Sequence, residues 1–181
     1  MALTKINNNT LSSITGLPAG VGGKVLQVVQ GTTSYSKSNS STSNTDVESS
    51  SGVTWVTSIT PSSSSSKILI TAHIGSNNYQ SSGEGDQRGN IEMLGDINGA
   101  GYSTLSGVHK TGGYAYAGTS YGVSIGDATP FVFLWTPNTT SQCNVKFQFK
   151  PLGNNGTMDV VATSSPNPLQ INSCNLLEVS G

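Results

Sequence analysis

The sequence predicts an all-β protein, an antiparallel β-sandwich of jelly-roll type, and three observations carry that expectation. Apolar blocks of strand length recur through residues 24–181, separated by clusters of Ser, Thr, Asn, Gly and Pro that favour turns. No segment keeps a helical apolar period across a window of about 11 residues. Polar bias comes without charge: 29 Ser, 20 Thr, 16 Asn and 22 Gly make up close to half the chain, whereas Asp, Glu, Lys and Arg are only 9% of its 181 residues. An average domain carries about 25% charged residues.

The elements follow in order. Residues 1–23 hold Leu3, Ile6, Leu11, Ile14 and Leu17 between Asn and Ser clusters, then Gly16, Pro18, Gly20, Gly22 and Gly23. A helix there would oppose its own propensities, so an extended attachment arm is expected, with the sandwich domain at 24–181. Residues 24–30 form the first strand, with Val25 and Val28 placed in the core. The weakly apolar stretch 31–52 reads as a long loop or a ragged edge strand. Residues 53–59 alternate, with Val53, Trp55 and Ile59 on one side. Pro61 and the five serines Ser62 to Ser66 then turn the chain into residues 67–74, apolar on both faces as a central strand should be.

The polar, Gly-rich stretch 75–90 reads as loop, with a charge-dense segment around Glu84, Asp86 and Arg88. Residues 91–97 make a strand ending at Asn98-Gly99, a hairpin signal. The stretch 101–126 holds Tyr102, Tyr114, Tyr116 and Tyr121 among glycines and serines, again as loop. Residues 131–135 form the most apolar strand, and 143–150 alternate without a fault, one face core and the other solvent. Residues 157–163 and 170–179 supply the last two strands. Seven or eight strands result, and Ile68, Ile70, Phe131, Phe133, Phe147 and Phe149 complete the expected core with Val25, Val28 and Trp55. The charges are expected in turns, in the 84–88 loop and on the outward side of 143–150.

Composition excludes several classes of function. A net charge of −1 leaves no electrostatic footprint for nucleic acid. No apolar run reaches the roughly 18 residues of a membrane span, and the start lacks the apolar core of a secretory signal. Cys143 and Cys174 lack C-x-x-C spacing and sit in alternating apolar segments, which suits buried thiols; a disulfide between them stays open. No metal or cofactor site is expected.

An enzyme has few parts to work with. His73 falls on the second face of its strand, and His109 beside Lys110 is expected to be solvated. No G-x-S-x-G elbow exists, and 84–90 lacks the order of a calcium loop. Residues 20–25 imitate a phosphate loop, but Val25 stands where Ser or Thr is required and a strand follows. The chain is therefore expected to have no catalytic residues, although a depolymerase using Glu84, Asp86 or Glu92 is the enzymatic alternative. Tyrosines among Gly, Ser and Asn make adaptable recognition surfaces, so Tyr102, Tyr114, Tyr116 and Tyr121 are candidate receptor contacts, against the alternative that they pack along strands.

The runs ALTKINNNTLSSITGLPAG, GGKVLQVVQG, WVTSITPSSSSSKILI and CNLLEVSG resemble a group of marine tailed-bacteriophage proteins described as tail fibre or virion structural proteins. The resemblance spans most of the chain, and 75–126 matches only in composition. It implies a homotrimeric β-sandwich head, similar to a tumour-necrosis-factor-like jelly roll, with the N-terminal segment leading in and no enzymatic residue. The expected function is thus a non-enzymatic virion protein, a tail-fibre tip attached to other virion proteins through Leu3, Ile6, Leu11, Ile14 and Leu17. Its loops would meet a host surface glycan or protein. In many such proteins the module ends a longer fibre, whereas here it begins near Met1, so a capsid decoration, head-fibre, baseplate or neck component is the alternative. The expected location is the virion, after synthesis in the host cytoplasm.

Overall fold

The computed structural model describes residues 24–80, 84–106, 109–116, 123–152, 156–160 and 171–181. The first strands are β1 (Val25–Thr33), β2 (Lys37–Asn39), β3 (Thr45–Asp46), β4 (Glu48–Ser50), β5 (Val53–Thr54) and β6 (Val56–Ile59). Two long strands follow, β7 (Lys67–Gln80) and β8 (Glu84–Ile97), then β9 (Ser103–Thr104) and β10 (His109–Tyr116). The chain ends with β11 (Val123–Trp135), β12 (Cys143–Pro151), β13 (Gly156–Val160) and β14 (Asn172–Val179).

Two six-stranded antiparallel sheets form a sandwich, beside a small β4–β5 pair. In the first sheet β7 is central, with β11 on one side and β14 then β13 on the other; β1 and β2 lie outside those. In the second sheet β8 pairs with β12 on one side and with β10 and β9 on the other, and β12 also takes β6 and β3. The eight principal strands therefore run β1-β14-β7-β11 in one sheet and β6-β12-β8-β10 in the other. That interleaving of early and late strands is the order of a jelly roll, whose two stacked sheets need the whole chain to close. The expected fold class holds.

Packing follows from period-two alternation. On β12, Cys143, Val145, Phe147 and Phe149 are buried while the residues between them are half exposed. They meet Ile68, Ile70, Ala72, Ile74, Cys174, Leu176 and Phe131 from the first sheet. An aromatic contact joins the layers: Phe147 of the second sheet meets Phe131 of the first edge-on at 5.4 Å between centroids, and Trp55, beside β6 in the second sheet, stacks on Phe147 at 5.6 Å. Full burial of one such ring contributes about 1.5–3 kcal/mol. Both thiols are free and buried in this core. Burial pushes Cys143 up to about 11 and Cys174 up to about 12, so neither is a reactive thiolate at neutral pH.

The Ser-rich turn after Pro61 is tied down by a carboxylate. Glu178, on β14, is fully buried and accepts Ser62 N–H and Ser62 Oγ, both at 2.7 Å, and Gln27 Nε2 at 2.7 Å. Burial would raise its pKa, but these donors outweigh it and hold the group at about 2.

Several expectations change. Val25 and Val28 are exposed, because β1 is an outer strand whose inward parity falls on Gln27 and Val29. Phe133 is half buried near the core rim. Val53 is exposed because the chain breaks at Trp55, leaving Val53 in the β4–β5 pair. The stretch 31–52 is not one loop: β1 continues to Thr33 and three short strands follow. Much of 75–90 is strand, since β7 runs on to Gln80 between β11 and β13 and β8 begins at Glu84. His109 is half buried and not a solvated loop residue; it lies on β10 with its ring 4.3 Å from that of Phe131. The charges are not confined to turns and surfaces: Glu178, Asp96 and Glu48 are buried. Residues 161–163 and 170, expected in the last strands, lie outside the described residues.

Candidate functional site

The alternation that buries Phe147 turns Asn144, Lys146, Gln148 and Lys150 outward on the second sheet. Register sets Asp96 and Glu92 of β8, Ser58 of β6 and Asp46 of β3 on that same face. Asp46 is its hub: Lys146 Nζ lies 2.9 and 3.1 Å from the two carboxylate oxygens, Gln148 Nε2 donates at 2.8 Å and Thr54 Oγ1 at 3.0 Å. Asp96 accepts the N–H of Gly99 at 2.8 Å, that of Gly101 at 2.7 Å and Asn144 Nδ2 at 3.0 Å. Glu92 accepts the Thr104 hydroxyl and, at 3.4 Å, Asn44 Nδ2.

These contacts decide what the carboxylates can do. Partial burial pushes Asp46 up, but its hydrogen bonds from Lys146, Gln148 and Thr54 outweigh that and leave its pKa lowered. The Asn144 hydrogen bond, aided by the Gly101 and Gly99 amides, holds Asp96 low against its own burial. Anions saturated with donors are weak bases and poor proton donors near neutral pH. Asp96 serves the Asn98-Gly99 turn, where Asn98 has φ 54° and Gly99 φ 77°. Among the described residues, no three His, Cys, Asp or Glu side chains converge to hold a metal.

The tyrosines expected at a receptor surface divide. Tyr102 is exposed on this face, with Lys146 Nζ 4.4 Å from its ring centroid. Such a cation–π contact contributes about 0.5–1 kcal/mol at an exposed site. Tyr114 and Tyr116 are in β10, not a loop, paired with Asp86 and Glu84. Eight residue steps along β8 separate Asp86 from Leu94, the partner of β9, which is about 26 Å of strand. Tyr102 and the β10 pair are thus two places and not one cluster. Tyr121 and the arm residues Leu3, Ile6, Leu11, Ile14 and Leu17 lie outside the described residues.

A second surface lies on the other sheet. On the outer face of the first sheet, register lines up Val28, Leu177, Leu69 and Leu134 across β1, β14, β7 and β11. Val25, Val179 and Val132 flank that row, with Val28 60%, Val132 76%, Leu134 50% and Val25 49% exposed. The sequence held a signal: residues 131–135 are apolar at both parities, which an edge strand with one solvent face does not need.

Fold and faces together define a jelly-roll domain with a hydrogen-bonded polar network on one outer face and, on the other, an apolar row beside the polar residues Gln30, Asn175 and Thr71. Its neighbours among solved structures include infectious bursal disease virus of the Gx strain, at 11% identity and a TM-score of 0.31, covering 86% of this chain and 40% of that one. A T13 particle of the same virus aligns at 11% identity and a TM-score of 0.33, over 84% of this chain and 37% of that one. A structure described as a CBM4 aligns at 12% identity and a TM-score of 0.20, over 76% of this chain and 94% of that one. The chain spans about two fifths of the viral chains it aligns with. The fold assignment rests on the strand order and not on these alignments. No family model matches the chain, and no curated protein matches it.

Proposed function

We propose that this chain is a non-enzymatic structural protein of a virus particle, a homotrimeric tail-fibre protein of a tailed bacteriophage attached through residues 1–23. The observation that carries the reading is the division of the two outer faces. One carries an exposed apolar row suited to contact, and on the other the carboxylates of Asp46, Asp96 and Glu92 are all engaged by neighbouring donors. The sequence resemblance to phage virion proteins supports the same reading. Tyr102, and Tyr114 with Tyr116, are the positions assigned to host-surface contact.

Quantitative mass spectrometry of purified particles tests it. A dozen or two copies per particle is the expected result. Hundreds of copies point instead to capsid decoration, and absence from particles overturns the virion role. In particles carrying the chain, Tyr102→Ala combined with Tyr114→Ala and Tyr116→Ala is expected to reduce adsorption; unchanged adsorption overturns the host contact.

A further inference from the structure

The outer face of the second sheet carries, beside its hydrogen-bonded carboxylates, a small cleft whose polar groups are not all engaged. We propose that this cleft, lined by Asn44, Asn90, Glu92 and Lys150, binds the hydroxyl-bearing edge of a neutral sugar ring. Register sets Asn90 of β8 opposite Lys150 of β12, and Glu92 opposite Gln148. Ile91 and Phe149 between them are buried in the core, so period-two alternation turns Asn90, Glu92 and Lys150 outward. Asn44, just before β3, closes the side, its Nδ2 donating to Glu92 Oε2 at 3.4 Å. The space they enclose is about 50 Å³. A water-sized group takes roughly 10–15 Å³ of such space, so there is room for about three, the hydroxyls along one edge of a pyranose and not the whole ring.

The lining chemistry asks for a hydroxyl. Asn90 Oδ1 is buried without a hydrogen-bond partner. A buried acceptor left alone costs free energy that a donor on a ligand recovers. Nothing holds that oxygen, so the amide can turn toward an incoming hydroxyl without breaking a bond at that atom. Glu92 accepts the Thr104 hydroxyl and Asn44 Nδ2, and a carboxylate has about four lone-pair sites, so acceptor capacity is left over. Lys150 Nζ enters no ion pair among the described residues and is a donor only. Donors and acceptors thus stand side by side, and a hydroxyl, which is both at once, satisfies them together.

Charge narrows the class further. The lining holds one carboxylate and one ammonium, so an anion meets Glu92 and a cation meets Lys150, which selects for a neutral polar ligand. Lys110, opposite Asn90 on β10, is exposed and stands outside the lining. Tyr102 lies on the same face against Lys146, four residue steps or about 14 Å along β12 from Lys150. A glycan seated in the cleft by one unit can therefore run toward an exposed aromatic ring, on which the C–H face of a further unit can stack. One such shallow site is weak, and the proposed trimer would strengthen it by presenting several copies at once. The inference rests on the host-contact reading for the source of the sugar and not for the chemistry of the cleft.

The test titrates the purified full chain with the methyl glycosides of glucose, galactose, mannose and N-acetylglucosamine, read by ligand-observed nuclear magnetic resonance, with glucuronate as the charged control. The expected result is millimolar binding of at least one neutral glycoside and weaker binding of glucuronate. Asn90→Ala is expected to weaken that binding about tenfold, the loss of a hydrogen bond at a buried acceptor. Lys150→Met is expected to weaken it as well, whereas Gln30→Ala on the other sheet leaves it unchanged. Far-ultraviolet circular dichroism checks that each variant is folded, and if one of the two cleft variants is not, the other carries the comparison. No binding of any neutral glycoside, full binding by a folded cleft variant, or glucuronate bound more tightly than every neutral glycoside overturns the proposal. Particles carrying Asn90→Ala separate the cleft from host contact. Normal adsorption by a variant that has lost glycoside binding leaves the cleft as a sugar site and removes the host surface as its source.

Discussion

At the scale of the residue, Glu178 concentrates the tension between burial and hydrogen bonding. A carboxylate inside an apolar sandwich is costly unless its oxygens are satisfied, and here backbone and side-chain donors from Ser62 and Gln27 satisfy them. Its folded pKa of about 2 lies below the ordinary 4.5, so between those values the unfolded chain binds more protons than the folded one. The stabilisation is complete above pH 4.5 and drains away as pH falls toward 2. Glu178→Gln presents an amide donor to the donors of Gln27 and Ser62, and is expected to cost about 1–3 kcal/mol at neutral pH. Urea titrations across pH 2 to 6 (a range of about two units either side of the ordinary value) check both points: the variant is expected to lose stability at neutral pH and to show a flatter acid slope. None of this was legible in the sequence, where Glu178 is one acid in an alternating strand. Gly31 is a similar case. A Cβ there would sit 2.1 Å from Thr57 Oγ1, a closeness set by the approach of β1 to β6 and invisible in the glycine itself.

At the scale of the element, legibility tracks how strongly each strand's pattern is fixed by its own residues. The alternation of β12 was readable because every second residue is large and apolar, so only one register buries them. Phe147→Ala is therefore expected to cost about 3–5 kcal/mol, as truncation of a buried aromatic does. Gln148→Ala, one position on and facing outward, is expected to stay within about 1 kcal/mol. Denaturation midpoints of the two variants compare them directly, and equal losses would show that β12 does not face the core as described. β1 departs from its expected parity for the opposite reason. Val28 and Val29 are adjacent and equally apolar, so parity alone leaves either one inward; pairing with β14 puts Val28 beside Leu177 on the outer face. The polar run 75–80 reads as loop in isolation, yet β11 and β13 hydrogen-bond it from both sides. Strand formation there belongs to the partners more than to the residues.

At the scale of the whole molecule, the jelly roll leaves β1, β2, β10 and β11 at or near sheet margins and an exposed apolar row on one sheet. Open margins and apolar surface are what oligomers cover. The proposed trimer predicts a light-scattering mass three times the 18.6 kDa of the chain, and a stable single-chain species would remove it. The tyrosine surface was legible only as a list of aromatic residues. Which of them share a face depends on strand register, and register separates Tyr102 from Tyr114 and Tyr116. The sequence by itself determined the all-β class, the buried parity of β12 and the Asn98-Gly99 turn, because those depend on side-chain periodicity and local backbone preference. Only the tertiary structure decided that Gly-rich, polar stretches pair as strands, that Glu178 is a buried anion, and that Val28, Leu177, Leu69 and Leu134 form one apolar row. Each of those results joins residues far apart in the chain, and a one-dimensional pattern carries no record of what lies across a sheet.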